Sequence, residues 1–283
     1  MRRRFLLAAL ASPFMLTACI DGLFFKPDNH PYTDPARFGL TPRDIHFAAV
    51  DGSQLHGWWF APASGPARAS VVHVHGNAAN ISNHLPFVKW LPGEGFNLFT
   101  FDYRGFGKSQ GKPTLNGVVA DTRAAIAQAR REAPGLPIVL LGQSMGAASA
   151  VRALVQEQAD LKAGGGKDIV LLIADSPFSS YQRIAVEATR GSALGLFAPL
   201  AGMLLPGSSE DPLAAIGQLR GPVLFLHGER DAVIGIEHSV ALHAAANQPK
   251  RLIRVAETEH IDALLRADVR SQVLAAVDAA LRQ

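Results

Sequence analysis

Ser144 lies between two glycines in Gly142-Gln143-Ser144-Met145-Gly146. A serine hydroxyl is inert at neutral pH. It becomes a nucleophile only beside a general base that is itself oriented by a third group. The apolar run Ile138-Val139-Leu140-Leu141 leads into the pattern and an alanine-rich stretch follows, so Ser144 falls where a buried strand meets a helix. In that setting G-x-S-x-G is the pattern of a nucleophile elbow. The glycines leave room for a sharp turn that lifts the serine oxygen above a sheet. A tightly packed turn carrying an incidental serine would show the same five residues, so the partners must decide.

The partners can be sought only after the elements are placed. "DIHFAAVDGSQLHGWWFAP" reads as two strands around Asp51-Gly52, a strong hairpin signal. "SVVHVHGN", "FNLFTFDYRGFG", "PIVLLGQS", "DIVLLIADSP", "GPVLFLHGERD" and "KRLIRVAETEH" read as further strands. Helical periodicity is expected over residues 79–91 and 114–132, after Ser144, and in the final "IDALLRADVRSQVLAAVDAALRQ". Short apolar strands alternating with helices imply an α/β fold: a mostly parallel sheet covered on both faces. Residues 178–217 form an insertion between two of these strands, apolar but broken by Pro199 and Pro206.

In an open parallel sheet, groups that meet the serine must stand at the carboxyl ends of strands, where the crevice lies. Of the ten histidines, His260 directly follows the last strand and precedes the last helix, and it is the expected base. Asp231, just past "VLFLHGER", is the favoured acid, with Asp175 in "LLIADSP" as its rival. Asp102 precedes the serine in the chain and fits the order less well. Asp102 and Arg104 in "DYRG" are expected to pair or to bind local backbone and hold a loop. His73-x-His75 has no neighbouring carboxylate cluster to complete a metal site. "GFGKSQG" lacks the spacing of a phosphate-binding loop. Neither a metal nor an organic cofactor is expected.

Together "HVHGNAAN", "DYRGFGKSQGKPT", "GQSMG", "HGERDAVI" and "ETEH" resemble the α/β-hydrolase superfamily, and more narrowly its BEM46-like, lysophospholipase-type branch. The resemblance runs from about Phe24 to the C-terminus. It implies an eight-stranded sheet with a short helical lid between strands 6 and 7, over about 178–217. It also implies a Ser-Asp-His triad matching Ser144, Asp231 and His260, with an oxyanion hole from the backbone N–H groups of Asn77 and Met145.

The beginning of the chain carries a separate signal. Arg2, Arg3 and Arg4 precede an apolar stretch of 14 residues, "FLLAALASPFMLTA", too short for a comfortable membrane span. It ends Leu16-Thr17-Ala18-Cys19, which resembles a bacterial lipobox. The expectation is a signal peptide over 1–18 and a lipid on the Cys19 sulfur. An extended segment over 19–42 then leads to a hydrolase domain over 43–283. Cys19 is the only cysteine, so no internal disulfide can form. Ile20 after it, rather than aspartate, favours the outer membrane over the inner one, with the domain facing the periplasm.

Charge excludes one class of partner. Without the three leader arginines, the 27 basic residues fall to equality with the 24 acidic ones, which leaves no electrostatic reason for nucleic-acid binding. Oligomeric state is not legible. The expected function is a membrane-tethered serine hydrolase acting on an ester or thioester. The rivals are a peptidase or amidase using the same triad and a non-catalytic lipoprotein that has kept the fold.

Overall fold

The computed structural model describes residues 24–189 and 211–283. Its centre is one sheet of eight strands: β1 (Arg43–Ala48), β2 (Gln54–Phe60), β3 (Ser70–Val74), β4 (Asn97–Asp102), β5 (Ile138–Gln143), β6 (Ile169–Asp175), β7 (Val223–Gly228) and β8 (Lys250–Val255). The order across the sheet is β1-β2-β4-β3-β5-β6-β7-β8. β1 and β2 form the expected antiparallel hairpin, in register Ala48 with Gln54, and Gly52 takes φ +85° in its turn. β2 also runs antiparallel to β4, and every pairing from β4 through β3 to β8 is parallel.

The strands read as unbroken apolar runs because both faces are covered. Along β5, Leu140 joins a core with Val118 and Ile126 of α2 (Leu115–Glu132) and Val151 of α3 (Met145–Ala159). Its neighbours Val139 and Leu141 point the other way. They join a second core with Leu85 of α1 (Ile81–Val88) and with Val269, Val273 and Val277 of the C-terminal helix, Ala267–Ala280. The two-residue period of a strand thus divides one sequence run between two cores.

Helix α1 is shorter than the periodicity of 79–91 predicts. Ala79 has φ +61°, and Asn80 is the N-cap, accepting from the Ser82 N–H. Over its described part, 24–42, the N-terminal stretch lies on the domain. Phe24 and Phe25 are buried, and Lys26 and Pro27 pair in parallel with Ala78 and Ala79. Two aromatic side chains outweigh the prolines in deciding where this stretch goes. The signal peptide and Cys19 lie outside the described residues. The expected lid is bracketed by α4 (Tyr181–Thr189) and α5 (Pro212–Ile216). Its middle, residues 190–210, lies outside the described residues as well.

Candidate active site

Ser144 stands at the junction of β5 and α3 with φ +55° and ψ −121°, where a residue with a side chain is strained by about 1–3 kcal/mol. The flanking glycines make the turn possible. A Cβ on Gly142 would lie 2.5 Å from the Ala147 Cα, and one on Gly146 would collide with the carbonyl oxygens of Val74 and His75. The Ser144 N–H is held by the Asp175 carbonyl at 2.8 Å.

Asp231 follows the end of β7 by three residues. Its Oδ1 accepts the backbone N–H groups of Val233 (2.9 Å) and Ile234 (2.8 Å), which fixes the carboxylate in the turn. Its Oδ2 lies 2.7 Å from His260 Nδ1 and 3.3 Å from His227 Nε2. Burial alone would raise this carboxyl. The bonds from His227 and His260, the charge of His260 and the Ile234 N–H outweigh burial and hold it well below the usual carboxylate range.

His260 sits on the loop after β8. Glu257 and Ile261 on either side of it take φ +58° and +56°. The loop is tied to the acid turn by Arg230 N–H to the Thr258 carbonyl (3.0 Å), and to the end of β6 by Ile261 N–H to Ser176 Oγ (3.4 Å). The imidazole is close enough to influence the ionisation of both Asp175 and His84. The His84 ring in turn packs on Gly76, beside Ser144.

The rival acid has a different environment. Asp175 is fully buried, its Oδ2 accepts from Gln143 Nε2 at 3.0 Å, and Oδ1 has no hydrogen-bond partner among the described residues. Burial pushes its carboxyl up to about 6. Gln143 Oε1 bonds His73 Nε2 (3.0 Å) and His73 Nδ1 bonds Thr100 Oγ1 (2.9 Å), giving a buried polar chain beneath the elbow. Burial pulls His73 down to about 3, so it is a neutral ring with both nitrogens bonded. Among the described residues no three His, Cys, Asp or Glu side chains are grouped to hold a metal ion.

Asp102 and Arg104 do not pair with each other. Asp102 Oδ1 caps α1 through the Ile81 N–H (2.9 Å). Arg104 forks onto buried Asp121 (Nη2–Oδ1 2.7 Å) and reaches Asp51 (2.6 Å). Both side chains hold loops, as expected, but with separate partners.

Ser144, Asn77 and Met145 line one cavity of about 230 Å³, with Phe24, Phe178, Ile184, Val233 and Ile234 among its walls. Met145 opens α3, where first-turn N–H groups lack intrahelical partners. A larger cavity of about 500 Å³, lined by His30, His56, Trp58 and Asp102 among others, includes none of the five predicted residues. The described structure therefore joins Asp231 to His260 and gathers Ser144, Asn77 and Met145 round one cavity, into which the Asp231 turn also projects. Sequence reasoning missed His227 and Phe24. His227 stands four residues before the acid across a strand-end turn, a spacing that could have marked it. Phe24 was obscured by the prolines that follow.

A mostly parallel sheet in this strand order, with a strained serine after the fifth strand and an Asp-His pair after the seventh and eighth, defines the α/β-hydrolase fold. The hydrolase family described as serine aminopeptidase, S33, matches residues 65–208, and the chain belongs to that family. It is 40% identical over 248 residues to "Uncharacterized protein YfhR" of Escherichia coli O157:H7, covering 85% of this chain and 80% of that one. It is 28% identical to the "Alpha/beta hydrolase domain-containing protein WAV2" of Arabidopsis thaliana, covering 85% of this chain and 77% of the relative. Among solved structures, the Pyrococcus furiosus esterase Pf2001 superposes with a TM-score of 0.73 at 21% identity, over 92% of this chain and 97% of the other.

Proposed function

We propose that the protein is a serine hydrolase of carboxylic esters or thioesters, with Ser144 as nucleophile, His260 as base and Asp231 as the orienting acid. His260 Nδ1–H donates to Asp231, so Nε2 carries the lone pair that takes the serine proton and later returns it to the leaving group. The backbone N–H groups of Asn77 and Met145 stabilise the oxyanion, and water clears the acyl-enzyme. The observation that carries this reading is the strained Ser144 sharing a cavity with Asn77, Met145 and the turn of the His260-bonded carboxylate. The apolar walls Phe24, Phe178 and Ile184 favour an acyl group as the bound part of the substrate.

Ser144→Ala should abolish fluorophosphonate labelling of the pure protein and turnover of p-nitrophenyl esters. Labelling that persists in the variant would remove Ser144 from the mechanism. The family's description, serine aminopeptidase, favours a second reading in which the bond is an amide. A panel of esters and thioesters against aminoacyl amides separates the two by kcat/KM. Chain-length preference in that panel also tests the assignment to the BEM46-like, lysophospholipase-type branch.

We place the mature protein on a bacterial envelope membrane through lipid on Cys19, with 1–18 removed as a signal peptide. The lipobox-like Leu16-Thr17-Ala18-Cys19 supports this. No helix among the described residues is long and apolar enough to cross a membrane. Cys19→Ser should move the protein out of the membrane fraction and end incorporation of labelled lipid. Unchanged fractionation and labelling would refute the anchor.

A further inference from the structure

Residues Phe24–Asp28 run alongside the loop that carries Asn77. The Lys26 N–H donates to the Asn77 carbonyl at 2.8 Å, and the Asp28 N–H to the Ala79 carbonyl at 3.3 Å. Asn77 Nδ2 donates to the Phe24 carbonyl at 3.1 Å. On the other side of Asn77, His75 Nδ1 lies 2.8 Å from the Gly76 carbonyl. The Asn77 N–H is therefore set between two pinned carbonyls, one held from within the loop and one held by Lys26.

The loop needs such support. Ala79 has φ +61°, a conformation that L-residues avoid and that persists only where the surroundings over-determine it. Pairing with Pro27 and the bond from Asp28 supply that constraint. The stretch is itself anchored at both ends. Phe24 packs edge-on against Tyr181 and Phe25 against Phe106, with centroids 5.7 and 6.3 Å apart. The Asp28 carbonyl accepts the Gly107 N–H at 2.9 Å, and its carboxylate accepts from Asn80 Nδ2 at 3.0 Å.

We propose that Phe24–Asp28 is a positioning strap for the oxyanion loop. The inference rests on the reading of Asn77 as an oxyanion donor. The strap touches no reacting atom. It sets where the Asn77 N–H points, and that contact matters most once charge develops on the substrate oxygen. Loosening its bonds to the Asn77 loop, with Phe24 left in the cavity wall, should therefore lower kcat and leave KM nearly unchanged.

Two substitutions at one position isolate the bond. Lys26→Ala keeps the backbone N–H and Lys26→Pro removes it, while Pro27 already restricts this residue to extended conformations. In the full chain, kcat for p-nitrophenyl butyrate should be about 10- to 100-fold lower in Lys26→Pro than in Lys26→Ala, given what one oxyanion donor is worth. KM should differ by less than about threefold, the split expected when only the transition state is affected. Asn77→Ala keeps the loop's N–H and removes only the bond to Phe24. It should lower kcat about fivefold, as expected for loosening a donor rather than deleting it. This second variant decides the matter if Lys26→Pro does not fold. Equal kcat in the two Lys26 variants together with wild-type kcat in Asn77→Ala overturns the strap, as does a rise in KM at constant kcat. A wild-type protein that neither turns over any ester nor labels at Ser144 overturns the hydrolase reading, and the strap's role with it.

Discussion

Asp231→Asn tests the assignment of the acid most directly, and the local geometry dictates how it should fail. Asp231 Oδ1 accepts two backbone N–H groups, from Val233 and Ile234, so the amide oxygen of asparagine must occupy that position. The NH₂ group then faces His260 Nδ1, now 2.7 Å from an accepting carboxylate oxygen. Two donors cannot share that contact, so His260 must move its proton to Nε2. That tautomer has no lone pair directed at the serine. A wrong-tautomer imidazole lowers kcat by about 10⁴-fold in serine triads. At about 1.4 kcal/mol per tenfold, the loss is about 5.5 kcal/mol of transition-state stabilisation. The assay is p-nitrophenyl butyrate turnover from pH 6 to 9, with Ser144→Ala as the blank and a thermal melt to confirm folding. Asp175→Asn should stay within about tenfold of wild type, because Asp175 bonds Gln143 rather than the base. Turnover within tenfold of wild type in Asp231→Asn, with a thousandfold loss in Asp175→Asn, would refute the reasoning and transfer the acid role to Asp175.

Asp175 should also leave a mark on stability. Its folded-state value of about 6 lies above its unfolded value, so the native protein holds an extra proton between about pH 4 and 6. That contribution is complete below about pH 4 and is lost as pH rises through 6, a change of about 3 kcal/mol at most. Denaturant unfolding at pH 4 and 6.5 should show Asp175→Asn flattening this slope, and an unchanged slope would contradict the burial argument. Gly146→Ala should destabilise by about 1–3 kcal/mol or more, since the new Cβ meets the immobile carbonyls of Val74 and His75. In a domain of this size that is a fall of about 2–10 °C in Tm. Gly93→Ala, whose Cβ meets nothing within 4 Å among the described residues and whose φ is not left-handed, is the control, and equal melting of the two would refute the steric account.

Much of this site is legible in the residues because parallel sheets impose position. A reactive group must follow a strand's carboxyl end. That constraint narrows the candidates to Ser144 after β5, Asp175 or Asp231 after β6 or β7, and His260 after β8. Strand identities and order along the chain are equally legible, since fully covered strands are continuous apolar runs. Element ends are less so. α1 starts later than its periodicity indicates because Ala79 adopts a left-handed backbone that no local pattern announces.

The residues by themselves determine the chemistry on offer: a serine between glycines where a strand meets a helix, a late histidine, two acids in the fitting order and a single cysteine behind an apolar leader. Only tertiary structure gives the two acids different environments, because burial and hydrogen-bond donors come from distant segments. Asp231 gathers two backbone N–H groups and two imidazoles, which keep it ionised, whereas Asp175 is buried against one glutamine and is driven toward its neutral form. Only tertiary structure reveals that Phe24–Asp28 runs beside Asn77, too. Parallel pairing with Ala78 and Ala79 joins segments some fifty residues apart. No local sequence signal encodes such a contact, because its stability comes from aromatic burial at one end and loop constraint at the other.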